Sequence, residues 1–149
     1  MQKYSAEDGS TSWPTAQLIV SNGGDDILRN IINSGSGDII IIHDREQFGH
    51  FEVRLTKIAP EGNVATDWDN ILISSEGTFS SNYHYEDAVQ TDDGVFVTWR
   101  DDDGNIYAKH IPFNIADPSS IEILAISNSG ALSDDSVSLD YSSRSNEVL

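Results

Sequence analysis

Apolar residues in this chain fall in short strings and alternations rather than at helical spacing. Gly37-Asp38-Ile39-Ile40-Ile41-Ile42-His43-Asp44 and Asp93-Gly94-Val95-Phe96-Val97-Thr98-Trp99-Arg100 are each a turn followed by a strongly apolar run. After each comes a stretch that alternates apolar with polar residues. These are Phe51-Glu52-Val53-Arg54-Leu55-Thr56-Lys57-Ile58 and Asn105-Ile106-Tyr107-Ala108-Lys109-His110-Ile111. A period of two puts one face of a strand in a core and the other towards water. β-branched and aromatic residues fill the runs, and Gly, Asn, Asp and Ser separate them. The pattern predicts an all-β chain.

The strings repeat. Trp13-Pro14-Thr15-Ala16-Gln17-Leu18-Ile19-Val20-Ser21, Trp68-Asp69-Asn70-Ile71-Leu72-Ile73-Ser74 and Ile121-Glu122-Ile123-Leu124-Ala125-Ile126-Ser127 end alike. Their final serines are evenly spaced, 74 − 21 = 53 and 127 − 74 = 53. A period in the low fifties fits a unit of four strands. In the first full unit, strand A is expected near Leu28–Asn33, B at Ile39–His43, C at Phe51–Ile58 and D at Ile71–Ser74. In the second, A is expected near Asp87–Thr91, B at Val95–Arg100, C at Ile106–Ile111 and D at Ile121–Ser127. Residues 24–77 and 78–130 thus read as two whole units. Residues 1–23 read as strands C and D alone, and 131–149 as strand A and the start of B. The sum is about three repeats in one domain, in permuted phase.

Asp93-Gly94-Val95-Phe96-Val97-Thr98-Trp99 with Gly104-Asn105-Ile106-Tyr107-Ala108 resembles the blade repeat of large bacterial β-propeller proteins. Ser136-Val137-Ser138-Leu139-Asp140-Tyr141 with Asn146-Glu147-Val148-Leu149 resembles the opening of such a blade. The departure is His43, where the blade pattern has Trp. The resemblance implies four-stranded antiparallel blades, with one blade shared between chain ends. Three blades are few for a ring. The expectation is therefore a homo-oligomer, a dimer of six blades or a trimer of nine, similar in plan to small propeller lectins. Ser5-Ala6-Glu7-Asp8-Gly9-Ser10-Thr11-Ser12-Trp13 resembles a degenerate Asp-box of sialidase-type blades, in which that motif is structural. Sialidase chemistry would need an arginine cluster, and Arg29, Arg45, Arg54, Arg100 and Arg144 are scattered along the chain.

Charge narrows the partners. The chain of 149 residues carries 8 basic and 25 acidic side chains, a formal net charge of −17. So negative a surface repels phosphate backbones and anionic headgroups, so neither nucleic acid nor a membrane is an expected partner. The absence of cysteine excludes disulfides and thiolate metal sites. No apolar run reaches the roughly 20 residues that span a bilayer as a helix. The N-terminal residues lack the apolar stretch of a signal peptide. A soluble chain is expected; its compartment is open, the extracellular space included.

Three clusters carry candidate chemistry. Tyr83-His84-Tyr85-Glu86 combines aromatic rings with a carboxylate, as sugar-binding surfaces do; the alternative is a linker whose rings fill core. Trp13 and Trp68 precede strand D at matching places, as inter-blade packing or as repeated rim sites for a ligand. Asp101, Asp103 and Asn105 alternate in a Gly-containing turn and are a candidate Ca²⁺ loop. The alternative there is a hairpin whose Asp and Asn bond their own backbone. His43, His50, His84 and His110 show no zinc-site spacing. No phosphate-cradling loop or nucleophile elbow is present.

These readings point to a non-enzymatic, lectin-like binding module with glycan as ligand. A self-assembling structural propeller fragment is the second reading. The third is a polysaccharide hydrolase or lyase using Asp44, Asp101 or Asp140.

Overall fold

The computed structural model describes residues 26–34, 36–47, 49–74, 83–127, 138–139, 141–142 and 147–148. The expected half-unit at 1–23, with Trp13 and the Asp-box-like stretch, lies outside them, as do Asp140 and Arg144. Among the described residues the chain is all-β, with no α-helix.

The first sheet contains β1 (Asp26–Asn33), β2 (Ile39–Gln47), β3 (His50–Ile58) and β4 (Ile71–Leu72). The second contains β5 (Tyr83–Gln90), β6 (Gly94–Asp101), β7 (Ile106–Pro112) and β8 (Leu124–Ser127). Each is an antiparallel meander in chain order, and a short pair joins β9 (Tyr141–Ser142) to β10 (Glu147–Val148). Single 3₁₀ turns, Thr66–Trp68 and Pro118–Ser120, precede β4 and β8. No sheet closes on itself among the described residues.

The two sheets match in register. Leu28 pairs with His43 and Tyr85 with Trp99, and the pairing slips one residue later in both, at Arg29 and at Glu86. Such a bulge bends the strand and sharpens its twist. Leu55 pairs with Ile71 and Ala108 with Leu124, so strands C and D keep the 53-residue spacing (108 − 55, 124 − 71). Strand B does not: Asn33 pairs with Ile39 and Gln90 with Val95, a spacing of 95 − 39 = 56. The first unit has the longer connections.

Ser74 has a defined role at the end of strand D. Its hydroxyl accepts the Val53 N–H at 2.8 Å, while the Ile73 N–H donates to the Val53 carbonyl at 3.0 Å. The hydroxyl thus replaces a ladder bond where strand D leaves regular pairing.

Several strand boundaries differ from expectation, β4 among them, which ends at Leu72 instead of Ser74. Residues 83–86, which precede the strand A expected near Asp87, belong to β5, because the bulge at Glu86 lets pairing with β6 continue. β2 runs on to Gln47 beyond the expected end at His43. β8 is shorter than expected, since the turn at Pro118–Ser120 leaves Ile121 and Ile123 to pack on the core instead.

One buried cluster joins the sheets. Ile32, Ile40, Ile42, Val53, Leu55, Trp68 and Ile73 meet Val95, Val97, Trp99 and Ile111. Alternation decides membership: Ile40 and Ile42 face this joint, whereas Ile41 packs with Ile58 in a separate cluster. Polar contacts cross the joint as well. Trp68 Nε1 donates to the Ile115 carbonyl at 3.1 Å, and Lys57 Nζ, which lies over the Trp68 ring, donates to the Phe113 carbonyl at 3.3 Å.

Because the sheets share a core, they are expected to unfold as one unit. Leu55→Ala in the first sheet should cost about 2–5 kcal/mol and Trp99→Ala in the second about 3–5 kcal/mol. Each should shift a single urea transition that coincides by circular dichroism and tryptophan fluorescence. Two separate transitions would refute a shared core.

Candidate functional site

The pairing of Tyr83 with Asp101 brings the aromatic stretch of β5 beside the acidic turn that follows β6. Two candidates that lie well apart in the sequence are therefore neighbours. His84 Nε2 stands 3.4 Å from Asp102 Oδ1, with the side chains 36% and 50% exposed. The first sheet adds Phe51, whose ring centre is 5.9 Å from that of His84 at 37°. The Tyr83 ring meets Tyr107 edge-on at 6.4 Å, and Tyr107 stacks on Trp99 at 6.2 Å. Trp99 is fully buried, so the patch rests on the shared core.

Asp101 organises the turn. Its Oδ1 accepts the N–H groups of Asp103 at 3.0 Å and Asn105 at 2.9 Å. Its Oδ2 accepts the Asn105 side-chain amide and the Tyr107 hydroxyl, each at 2.9 Å. Gly104, at φ 81°, supplies the left-handed residue of the turn. Burial opposes ionisation of Asp101, but the bonds from Asn105, Tyr107 and Asp103 outweigh it and hold the carboxyl below its usual range. The Tyr107 hydroxyl is pushed up to about 12 by burial and by the bond to Asp101. Of the candidate calcium ligands, Asp101 and Asn105 are thus bonded to each other. Asp103 contributes a backbone N–H and is exposed. No group of three or more His, Asp or Glu side chains among the described residues is placed to hold a metal ion.

Behind the patch lies an ion pair between a buried carboxylate and a partly exposed guanidinium. Arg29, at the β1 bulge, donates through both Nε and Nη2 to Asp44 Oδ2 at 2.7 Å. Asp44 Oδ1 accepts the Tyr85 N–H from the other sheet at 3.4 Å. The Asn30 amide donates to the Tyr85 hydroxyl at 2.9 Å. Burial pushes the Asp44 carboxyl above its ordinary value, against the pull of Arg29. Fully buried and paired, Asp44 anchors Tyr85 rather than facing a substrate.

The remaining candidates separate from this patch. Glu86 contributes the backbone of the β5 bulge. Trp68 is buried in the joint with Lys57 and Ile115, in the packing role. His43, in the place of Trp99, is also buried, and burial lowers its pKa against the pull of Asp26. Arg45 and Arg54, distant in sequence from Asp26 and close to Glu52 respectively, act on this histidine from two strands. Arg45 pairs with Asp26 at 3.4 Å and Arg54 with Glu52 at 2.7 Å. Arg45 and Arg54 are therefore closer together than their spacing suggests, but their charges are met by carboxylates. Sequence reasoning missed Phe51, Asn30 and Arg29 as site residues, since only the packing of one sheet on the other brings them in. Asp102 was accessible to it, through the register of the β5–β6 hairpin.

Arg29→Met should destabilise the protein by about 1–3 kcal/mol at pH 7, because it leaves a buried carboxylate without its donor. The folded state holds the Asp44 proton more tightly than the unfolded chain does. Asp44 therefore takes stability away as pH rises through the window above its unfolded pKa. The penalty of the variant should shrink as pH falls through that window, where the neutral carboxyl needs no counter-charge. Urea denaturation of both proteins at pH 7 and about pH 4 checks this; a constant difference would mean that Asp44 does not change its charge between the two.

Comparison with protein-family models, curated proteins and solved structures finds no match for this chain.

Proposed function

We propose that this chain is a non-enzymatic binding module built from propeller-type blades, with carbohydrate as its ligand. The observation that carries this reading is the meeting of Phe51, His84 and Asp102 at one half-exposed place. Sugars are recognised by ring faces that take their C–H groups and by carboxylates that accept from their hydroxyls. Tyr83, Tyr85, Tyr107 and the self-bonded turn around Asp101 hold this patch from behind. A site held by packed neighbours loses little freedom on binding.

The net charge of −17 selects among sugars, favouring neutral or amino sugars over sulfated or uronic ones. A hydrolytic reading has less support, since Asp44 is buried in its ion pair and Asp101 is occupied by its own turn.

The test is titration of the isotope-labelled chain with a panel of neutral, amino and acidic oligosaccharides, read by amide shifts. A neutral or amino sugar should perturb residues around 51, 84 and 102. Phe51→Ala and His84→Ala should each weaken that sugar by about tenfold, equivalent to about 1.4 kcal/mol. Asp67→Ala, on the exposed turn before Trp68, should leave it unchanged. Absence of any sugar response, or full binding by His84→Ala, would remove the proposal.

A further inference from the structure

The two faces of the first sheet differ in chemistry. Ile40, Ile42 and Asp44 turn to the second sheet, so alternation along β2 turns His43 and Arg45 the other way. Register places Asp26 of β1 and Glu52 of β3 on either side of Arg45, and Leu28 and Arg54 on either side of His43. In the second sheet the corresponding place holds Trp99, between Tyr85 and Tyr107. The first sheet thus carries a histidine among charges where the second carries a tryptophan among tyrosines.

His43 is 1% exposed, and neither of its ring nitrogens makes a sound hydrogen bond to a protein group. Asp26 Oδ1 stands 3.5 Å from Nδ1, long for such a bond. Arg45 Nη2, also buried, has no hydrogen-bond partner either. The charges around the ring are matched without it. Arg45 pairs with Asp26 at 3.4 Å and Arg54 with Glu52 at 2.7 Å, two cations with two carboxylates. His50, two residues before Glu52 on the same face of β3, is the further titratable group that the described strands place there. Arg29 and Asp44 pair on the opposite face.

We infer that His43 makes the first sheet sensitive to acid: a proton taken up by its ring from solvent leaves one buried positive charge unmatched, and the β1 segment Asp26–Leu28 opens from β2 to let water reach it. Among the described residues β1 is the edge strand of this sheet, and the bulge at Arg29 separates that segment from the rest of its ladder. A short edge segment opens with few bonds lost. Burial sets the sign. It holds the His43 pKa below the ordinary histidine value, against the pull of Asp26 and with the help of Arg45 and Arg54. The unfolded chain therefore takes the proton first. Stability that depends on neutral His43 is present above the ordinary value and is lost as pH falls through the window below it. Asp44 acts in the opposite sense, taking stability away as pH rises. The inference is independent of the carbohydrate reading, since Phe51 meets His84 on the joint side of the sheet.

The experiment follows the full chain from about pH 7.5 to about pH 5, across the ordinary histidine range. The ring-nitrogen shifts of His43 should remain those of a neutral imidazole at about pH 6, where a free histidine is mostly charged. Hydrogen-exchange protection of the 26–28 and 43–45 amides, corrected for intrinsic rate, should fall about tenfold more than that of the 31–33 and 39–41 amides. In urea, the unfolding constant of the wild type should rise about tenfold more over this range than that of His43→Phe. His50→Gln should follow the wild type. A His43 ring already charged at the middle of the range would overturn the inference. So would an equal loss of protection along the whole β1–β2 ladder, or an acid response of His43→Phe equal to that of the wild type. Loss of the response in His50→Gln would assign the charge to that residue instead. The ring shifts and the exchange pattern are read on the wild type, so they decide the matter even if the phenylalanine variant does not fold.

Discussion

Burial of one sheet's apolar face against the next is the constraint on which the rest of this molecule depends. A single four-stranded sheet has two faces to cover and cannot supply its own core. Here the first sheet offers aliphatic residues, Ile32, Ile40, Ile42, Val53 and Leu55, and the second answers with Trp99, Val95, Val97 and Ile111. At roughly 25 cal/mol per Å² of apolar surface, such a joint is the main stabilising term available to a chain without disulfides. It also fixes the candidate site, because Phe51 meets His84 only when the sheets are face to face.

The polar contacts at the joint set its geometry more than its strength. Burial of the Asp44 carboxylate offsets much of its attraction to the partly exposed Arg29. What the pair does is fix position. It aims Asp44 at the Tyr85 backbone, while Asn30 holds the Tyr85 hydroxyl. With both ends of Tyr85 bonded to the first sheet, the neighbouring His84 is held opposite Phe51. In the second sheet, the corresponding bulge and the residue after it lead to Asp87, which bonds Leu139.

Much of the fold is legible in the sequence. The runs at Ile39–Ile42 and Val95–Val97 mark strands that are buried on both faces. The alternation in residues 51–58 and 105–111 marks their partners, and the serine spacing marks the end of each unit. Boundaries were less legible where backbone pairing persists through polar residues, as at Tyr83–Glu86 and Asp44–Gln47. The site was legible only in part. Tyr83, His84 and Tyr85 stand out as an aromatic stretch, and Asp101 to Asn105 as a turn, yet their adjacency depends on hairpin register. Phe51 gives no signal by spacing, because its meeting with His84 is a product of sheet-on-sheet packing. Trp68 shows the converse: an aromatic at a repeated position, read two ways from sequence, lies under Lys57 of its own sheet and bonds Ile115 of the next.

The most direct test of the face-to-face joint is the pattern of nuclear Overhauser contacts in the isotope-labelled chain. The account expects contacts between the Trp68 indole N–H and Ile115, and between the Tyr85 ring and the Asn30 side-chain amide, each linking residues of different sheets. Contacts confined within each sheet, with none of these cross-sheet pairs, would contradict it.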